Sequence, residues 1–110
     1  MSVWHVEGGN RLTGSVTVQG AKNAVLPIMA ASVLAPGETE LLNVPELRDV
    51  DTTIRILRGL GCSVEREGDA VYIDSRAMAA CEIPHRLMRE LRSSVIFLGA
   101  LLARCGRAKL

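Results

Sequence analysis

The chain has 110 residues, 48% of them hydrophobic, with 13 basic and 12 acidic side chains and a formal net charge of +1. That length suits one domain and excludes two full ones, and the apolar content excludes a disordered chain. The near-neutral balance argues against a strong nonspecific nucleic-acid binder, which needs a clear basic excess.

Aromatic residues make up only 3% of the chain, so its core must be built from Ala, Val, Leu and Ile. No basic, then apolar, then small-residue pattern follows Met1, so no signal peptide is expected. The longest apolar run, Val95 to Ala103, is far shorter than the roughly 20 residues a bilayer span needs. Cys62, Cys81 and Cys105 are odd in number and too widely spaced for a zinc ribbon. They read as inert thiols in a reducing, cytoplasmic compartment, with no metal site.

In chain order, Val3–Val6 is expected to form a short strand, and Gly8-Gly9-Asn10 a turn. Leu12–Gln19 alternates, with Val16 and Val18 on one face and Ser15, Thr17 and Gln19 on the other, as a strand does. Gly20 ends it. Lys22–Leu34 reads as a helix with Pro27 near its first turns, where proline disrupts least. Pro36-Gly37 stops it, and Thr39–Val44 is the next strand, closed by Pro45. A second helix follows, capped by Asp49 or Asp51, with Val50, Ile54, Leu57 and Leu60 on one face and Gly61 as its stop. Cys62–Glu67 and Ala70–Asp74 form a hairpin around Gly68-Asp69. Residues 75–83 are linker-like, and Pro84–Leu91 reads as a short helix. Ser93 or Ser94 is placed to cap a last helix, Val95–Cys105, apolar nearly all round and so expected to be buried. Gly106 stops it, and residues 107–110 resemble the start of another strand. The order is strand, helix, strand, helix, hairpin, helix, and the unfinished ending suggests an N-terminal fragment of a larger protein.

Two cations occupy unusual positions. Lys22 stands at a helix entrance, where the backbone dipole disfavours positive charge by roughly 0.3–1 kcal/mol. Arg92 precedes another helix start. Such a residue is tolerated when an anion sits nearby, and helix N-termini are good sites for phosphate and carboxylate. The chain otherwise uses Arg almost throughout: of its 13 basic residues only Lys22 and Lys109 are lysine. Lys22 and Asn23 therefore read as the centre of a phosphate-bearing small-molecule site, although a solvated lysine and a capping asparagine are equally ordinary readings. Arg48 has two readings, facing the same anion or simple exposure. Arg86 and Arg89 share a helical stripe with Arg92 and read as solvated. His5 and His85 are isolated, and no Walker, dinucleotide-binding or nucleophile-elbow motif is present.

Four stretches also resemble a known family: Gly20-Ala21-Lys22-Asn23-Ala24-Val25-Leu26-Pro27-Ile28, Asn43 to Thr52, Leu57-Arg58-Gly59-Leu60-Gly61, and Met88 to Ser94. Together they resemble the enolpyruvyl transferases, and within them the UDP-N-acetylglucosamine 1-carboxyvinyltransferases. The sister enzymes of the shikimate pathway carry Lys-Ser where this chain has Lys22-Asn23. The resemblance implies an α+β fold of βαβαββ-type units (an α-β prism, or inverse barrel), incomplete in this chain. It implies that residues 1–20 pack with the other domain. Residues 21–110 are then a partial first domain, ending before the catalytic loop. The implied reaction moves the enolpyruvyl group of phosphoenolpyruvate to the 3′-hydroxyl of UDP-N-acetylglucosamine and releases phosphate, the first committed step of peptidoglycan synthesis. It runs by addition and elimination, without metal or organic cofactor.

By the same resemblance Lys22 and Asn23 contact phosphoenolpyruvate, Arg92 contacts the nucleotide sugar, and Arg48 lies near the cleft. The family's cysteine, in a Pro-Gly-Gly-Cys loop, would come after Leu110, so none of the three cysteines here is catalytic and this chain alone is expected to be inactive. The expected partners are the two substrates and the second domain, with no nucleic acid and no membrane. The competing readings are a non-catalytic binding or interaction module, the shikimate-pathway transferase, and an RNA-binding domain using Arg86, Arg89 and Arg92. The charge balance and scarce aromatics disfavour the last.

Overall fold

The computed structural model describes residues 2–18, 20–91 and 95–109, and for Lys22 the backbone alone. Its elements are α1 (Lys22–Ala31), β1 (Glu38–Leu41), α2 (Arg48–Leu60), β2 (Ser63–Glu67), β3 (Ala70–Asp74), α3 (His85–Glu90) and α4 (Ile96–Cys105).

Each helix buries the stripe its spacing dictates. In α1 that stripe is Val25, Leu26, Met29 and Ala30, continued by Val33. Pro27 lies inside α1 on its exposed side. It lacks the N–H that would bond the Asn23 carbonyl one turn earlier, so the ladder is open at the helix entrance. In α2 Val50, Ile54, Leu57 and Leu60 are buried as expected, and Thr52, Thr53 and Ile56 widen the face. Thr53 is satisfied by donating its Oγ1 hydroxyl to the Asp49 carbonyl at 2.7 Å. Gly61 ends α2 with φ 105, a left-handed conformation in which a side chain would be strained. A Cβ there would also meet the Ala77 carbonyl at 3.2 Å.

The hairpin forms as expected and gains a third strand: the order is β1-β3-β2, all antiparallel. Val64 pairs with Ile73, which pairs with Thr39, facing the helices; Glu65, Tyr72 and Glu40 form the adjacent row on the outer face. That outer face carries the Arg76 fork. Arg76 donates from Nε to Asp74 Oδ1 at 3.0 Å and from Nη2 to Asp74 Oδ2 at 2.8 Å, and reaches Glu38 Oε1 at 2.9 Å. The side-chain and backbone hydrogen bonds from Arg76 hold the Asp74 carboxyl down from 3.8 to about 2. Because the folded value is depressed, its stabilising contribution is present above about pH 4 and is lost as the pH falls through about 2. An NMR titration of the Asp74 carboxyl carbon should show that low midpoint, and Arg76→Ala should return it towards 3.8; a midpoint already near 3.8 would mean the fork does not form.

The structure corrects several expectations. Residues 3–6 and 12–18 are exposed and form no strand, since alternation supplies a face but not a partner ladder; Gln19 lies outside the described residues. The N-cap of α2 is Leu47, with no side-chain cap, so Asp49 and Asp51 sit in the first turn rather than at the cap. The last helix is buried on one side only. Phe97, Ala100 and Leu101 face the core, while Leu98 and Leu102 are exposed. Ser93 and Ser94 lie outside the described residues. The segment after Gly106 makes one parallel bridge, Glu82 with Lys109.

Nor are the cysteines all separate thiols: Cys81 and Cys105 pair as a disulfide, with Cα atoms 6.4 Å apart. The cause is the bridge beside them, where the Lys109 N–H donates to the Cys81 carbonyl at 3.0 Å and brings the two ends of a 24-residue separation together. Cys62 is buried and free, and that burial pushes its thiol pKa up.

One arrangement governs the rest. The chain ends of three helices gather around residues 75–80. Ser75 donates its hydroxyl to the Ala35 carbonyl just past α1, the Ala79 and Ala80 N–H groups donate to the Leu60 carbonyl at the end of α2, and Arg104 of α4 donates to the Val33 and Ser75 carbonyls. The starts of α1 and α2 lie at the opposite end, either side of the Asn43–Pro45 loop. α4 packs against α1. The three helices therefore run in the same sense, with their N-termini at one end of the unit.

Candidate functional site

The entrance of α1 is set by a backbone contact. Gly20 packs against the Asn43 carbonyl so closely that a Cβ on residue 20 would collide with it, and Pro45 Cδ would lie 3.2 Å away. Asn43 itself has φ 57, one of the few left-handed positions not filled by glycine. Beyond Gly20, Ala21 is the N-cap of α1, with φ −84 and ψ 133 and no capping side chain. The Ala24 and Val25 N–H groups both donate to the Ala21 carbonyl, at 3.2 and 3.0 Å. Ala21, Ala24 and Ile28 then line a shallow groove with Leu41, Leu42 and Asn43.

Asn23 occupies the second position of α1 with an exposed side chain. It does not cap the helix, because Ala21 holds that place. Lys22 is the first helical residue; its side chain lies outside the described residues. Arg48 is the first residue of α2 and is exposed. It stands three residues beyond Pro45, hence within about 11 Å of it along the chain. The fold thus brings Lys22, Asn23 and Arg48 to one end. Arg92 lies outside the described residues. Before it, Leu91 is buried and Glu90 is paired with Arg55 of α2; after it, α4 begins at Ile96. Arg86 and Arg89 are exposed, as a solvated stripe should be.

The two helix entrances differ electrically. α2 carries Asp49 and Asp51 in its first turn, which offset its positive end locally. α1 has no acidic residue in its first turn and no capping side chain, yet begins with a lysine. Its own first turn supplies no acid to offset that end, and helix N-termini of this kind favour anions. Arg48 stands beside two acids of its own first turn, Asp49 and Asp51, whereas the first turn of α1 contains none. No group of three or more potential metal-ligating side chains occurs among the described residues, and no helix is long and apolar enough to cross a membrane.

Sequence reasoning passed over Arg66. It lies on β2 two residues after Val64 and so on the same inward face, and it donates from Nη2 to the Val44 carbonyl at 2.8 Å, from Nη1 to the Pro45 carbonyl at 3.4 Å and from Nε to the Gly68 carbonyl at 3.1 Å. The available signal was a charged residue at an inward position of an alternating strand.

A three-stranded sheet backing co-directional helices, with an uncapped lysine-bearing entrance at one end, defines an α+β unit. The family described as EPSP synthase (3-phosphoshikimate 1-carboxyvinyltransferase) matches residues 6–110, and the chain belongs to that family. Its fold is an incomplete α+β domain of the enolpyruvyl-transferase type. The chain is 48% identical over 104 residues to the UDP-N-acetylglucosamine 1-carboxyvinyltransferase of Geobacter metallireducens, covering 94% of this chain and 25% of that protein. It is 47% identical over 109 residues to the enzyme of the same name from Photorhabdus laumondii, covering 99% and 26%. Among solved structures, the enolpyruvyl transferase NikO from Streptomyces tendae superposes with a TM-score of 0.78 at 29% identity, over 90% of this chain and 23% of that one. The chain spans about a quarter of the length of the curated relatives it matches.

Proposed function

We propose that this chain is the N-terminal part of a transferase that moves the enolpyruvyl group of phosphoenolpyruvate to the 3′-hydroxyl of UDP-N-acetylglucosamine and releases phosphate, in the cytoplasmic phase of peptidoglycan synthesis. The observation that carries the reading is the α1 entrance: Lys22 and Asn23 begin a helix with no capping side chain and no acid in its first turn. Phosphoenolpyruvate presents a phosphate and a carboxylate, and fixed positive groups facing such charge are a large part of catalysis in sites of this kind. Lys22 and Asn23 hold phosphoenolpyruvate, Arg92 the nucleotide sugar, and Arg48 borders the cleft. The remaining polypeptide supplies the catalytic cysteine and the base, while the sugar's own 3′-hydroxyl is the nucleophile.

The apolar surface supports a larger assembly. Trp4, Val6, Leu12, Val16 and Val18 are each more than four-fifths exposed. Ile28 of α1 and Val95, Leu98 and Leu102 along α4 are also exposed. Residues 1–20 pack with a second domain in this reading, and residues 21–110 form part of the first, whose further units cover the open side of α1 and α4.

The test uses the polypeptide at the full length of its relatives. Phosphate release should require both phosphoenolpyruvate and UDP-N-acetylglucosamine, and mass spectrometry should show the carboxyvinyl group on the sugar. Transfer to shikimate 3-phosphate instead would move the assignment to the sister enzyme. Binding of the nucleotide sugar with no transfer would favour the non-catalytic module. The 110-residue chain by itself should release no phosphate.

A further inference from the structure

We propose that Arg66 is a positioning residue for the phosphoenolpyruvate end of α1, acting through the Asn43–Pro45 loop; the proposal rests on the reading of Lys22 and Asn23 given above. The chain of contacts is short. The Arg66 guanidinium donates to three carbonyls, Val44 at 2.8 Å, Gly68 at 3.1 Å and Pro45 at 3.4 Å. The Val44 N–H donates to the Asp69 carbonyl at 2.8 Å, so the loop is fastened to the β2–β3 turn from both its donor and acceptor sides. The fastened loop presents the left-handed Asn43, whose carbonyl lies against the Cα of Gly20 with no space for a methyl group. Gly20 immediately precedes Ala21, the N-cap of α1.

A loop that fits its neighbour through backbone alone transmits any shift directly. No flexible side chain intervenes at Gly20 to absorb it. The helix start is the least braced part of α1, because Ala21 provides no capping side chain and Pro27 leaves the Asn23 carbonyl without its ladder partner. The position of Lys22 and Asn23 is therefore set from outside the helix, by the loop that Arg66 holds. The three acceptors call for a planar fork. A lysine ammonium offers a compact point donor instead and would hold them incompletely. Small displacements of substrate-holding groups are costly, since a 1 Å misplacement can cost about 10²-fold.

The experiment is steady-state kinetics of the full-length transferase with melting temperatures measured alongside. Arg66→Gln should raise the KM for phosphoenolpyruvate at least ten-fold while the KM for UDP-N-acetylglucosamine moves less than two-fold. Arg66→Lys should recover part of that loss. Gly20→Ala, which disturbs the same contact from the other side, should shift the same KM in the same direction. Arg58 is the structural control: it donates to the Val64 carbonyl at 2.8 and 3.3 Å, away from the helix entrances. Arg58→Gln should lower the melting temperature and leave both KM values in place. Should Arg66→Gln fail to fold, Arg66→Lys and Gly20→Ala carry the test. Folded Arg66 and Gly20 variants with a phosphoenolpyruvate KM within two-fold of the unmodified enzyme overturn the proposal. Lys22→Ala is run beside them. If it too leaves that KM unchanged, the reading of the site falls and takes this proposal with it; if it raises KM while the Arg66 variants do not, positioning alone is wrong.

Discussion

Replacing Lys22 with alanine in the full-length transferase is expected to lower kcat/KM for phosphoenolpyruvate by about 10²–10³-fold, the scale on which a preorganised electrostatic contact is lost. The start of α1 explains the size. Its N-terminal N–H groups have no capping side chain and no acid in the first turn, so in the proposed reading the ligand anion is their counterpart. Lys22→Arg keeps the charge, spreads it over a planar fork and lengthens the reach; it should recover less than a tenth of the lost activity. Steady-state kinetics at matched folded fraction, with circular dichroism to verify folding, provide the measurement. Near-normal turnover in Lys22→Arg would reduce the lysine to a generic positive charge, and near-normal turnover in Lys22→Ala would remove it from the site.

The second large effect is on stability. Phe97 is the largest fully buried side chain among the described residues, and the sequence holds one phenylalanine. Phe97→Ala should destabilise the protein by about 3–5 kcal/mol, through lost transfer energy and the cavity left behind. A core of Ala, Val, Leu and Ile has little slack to fill such a hole, and domain stabilities are only about 5–15 kcal/mol. Denaturant unfolding should show a large fall in the midpoint with an unchanged slope. The contrast is Leu98, its neighbour in sequence and 39% exposed in this chain. If the full-length protein covers that face as proposed, Leu98→Ala should cost about 2 kcal/mol or more there; an effect below about 0.5 kcal/mol would mean the face stays open.

Elements with their own internal period were legible. The stripe Val50, Ile54, Leu57 and Leu60 and the stop at Gly61 marked α2 from residue spacing alone, and Gly68-Asp69 between two alternating runs marked the hairpin. What escaped depended on partners distant in sequence. Val16 and Val18 alternate as strand residues do, yet no described ladder meets them. Cys81 and Cys105 pair across 24 residues, beside the Glu82–Lys109 bridge, a juxtaposition that spacing alone does not reveal. Asp49 looked like a cap, but the N-cap is Leu47, two residues earlier than an Asp49 cap would place it. The site divides in the same way. Lys22 and Asn23 stood out by position and by motif, whereas two of the three carbonyls that engage Arg66 come from residues 44 and 45, over twenty positions away in the loop before α2.

The common sense of α1, α2 and α4 has a kinetic consequence. Peptide dipoles aligned side by side reinforce at their two ends, so this unit is polar along its length. Arg104 answers the negative end internally, by donating to the Val33 and Ser75 carbonyls. The start of α1 has no acid in its first turn, and Ala21, Asn23 and Ala24 there are exposed. If that end holds the substrate as proposed, capture of a multiply charged metabolite should slow as added salt shortens the range of the field.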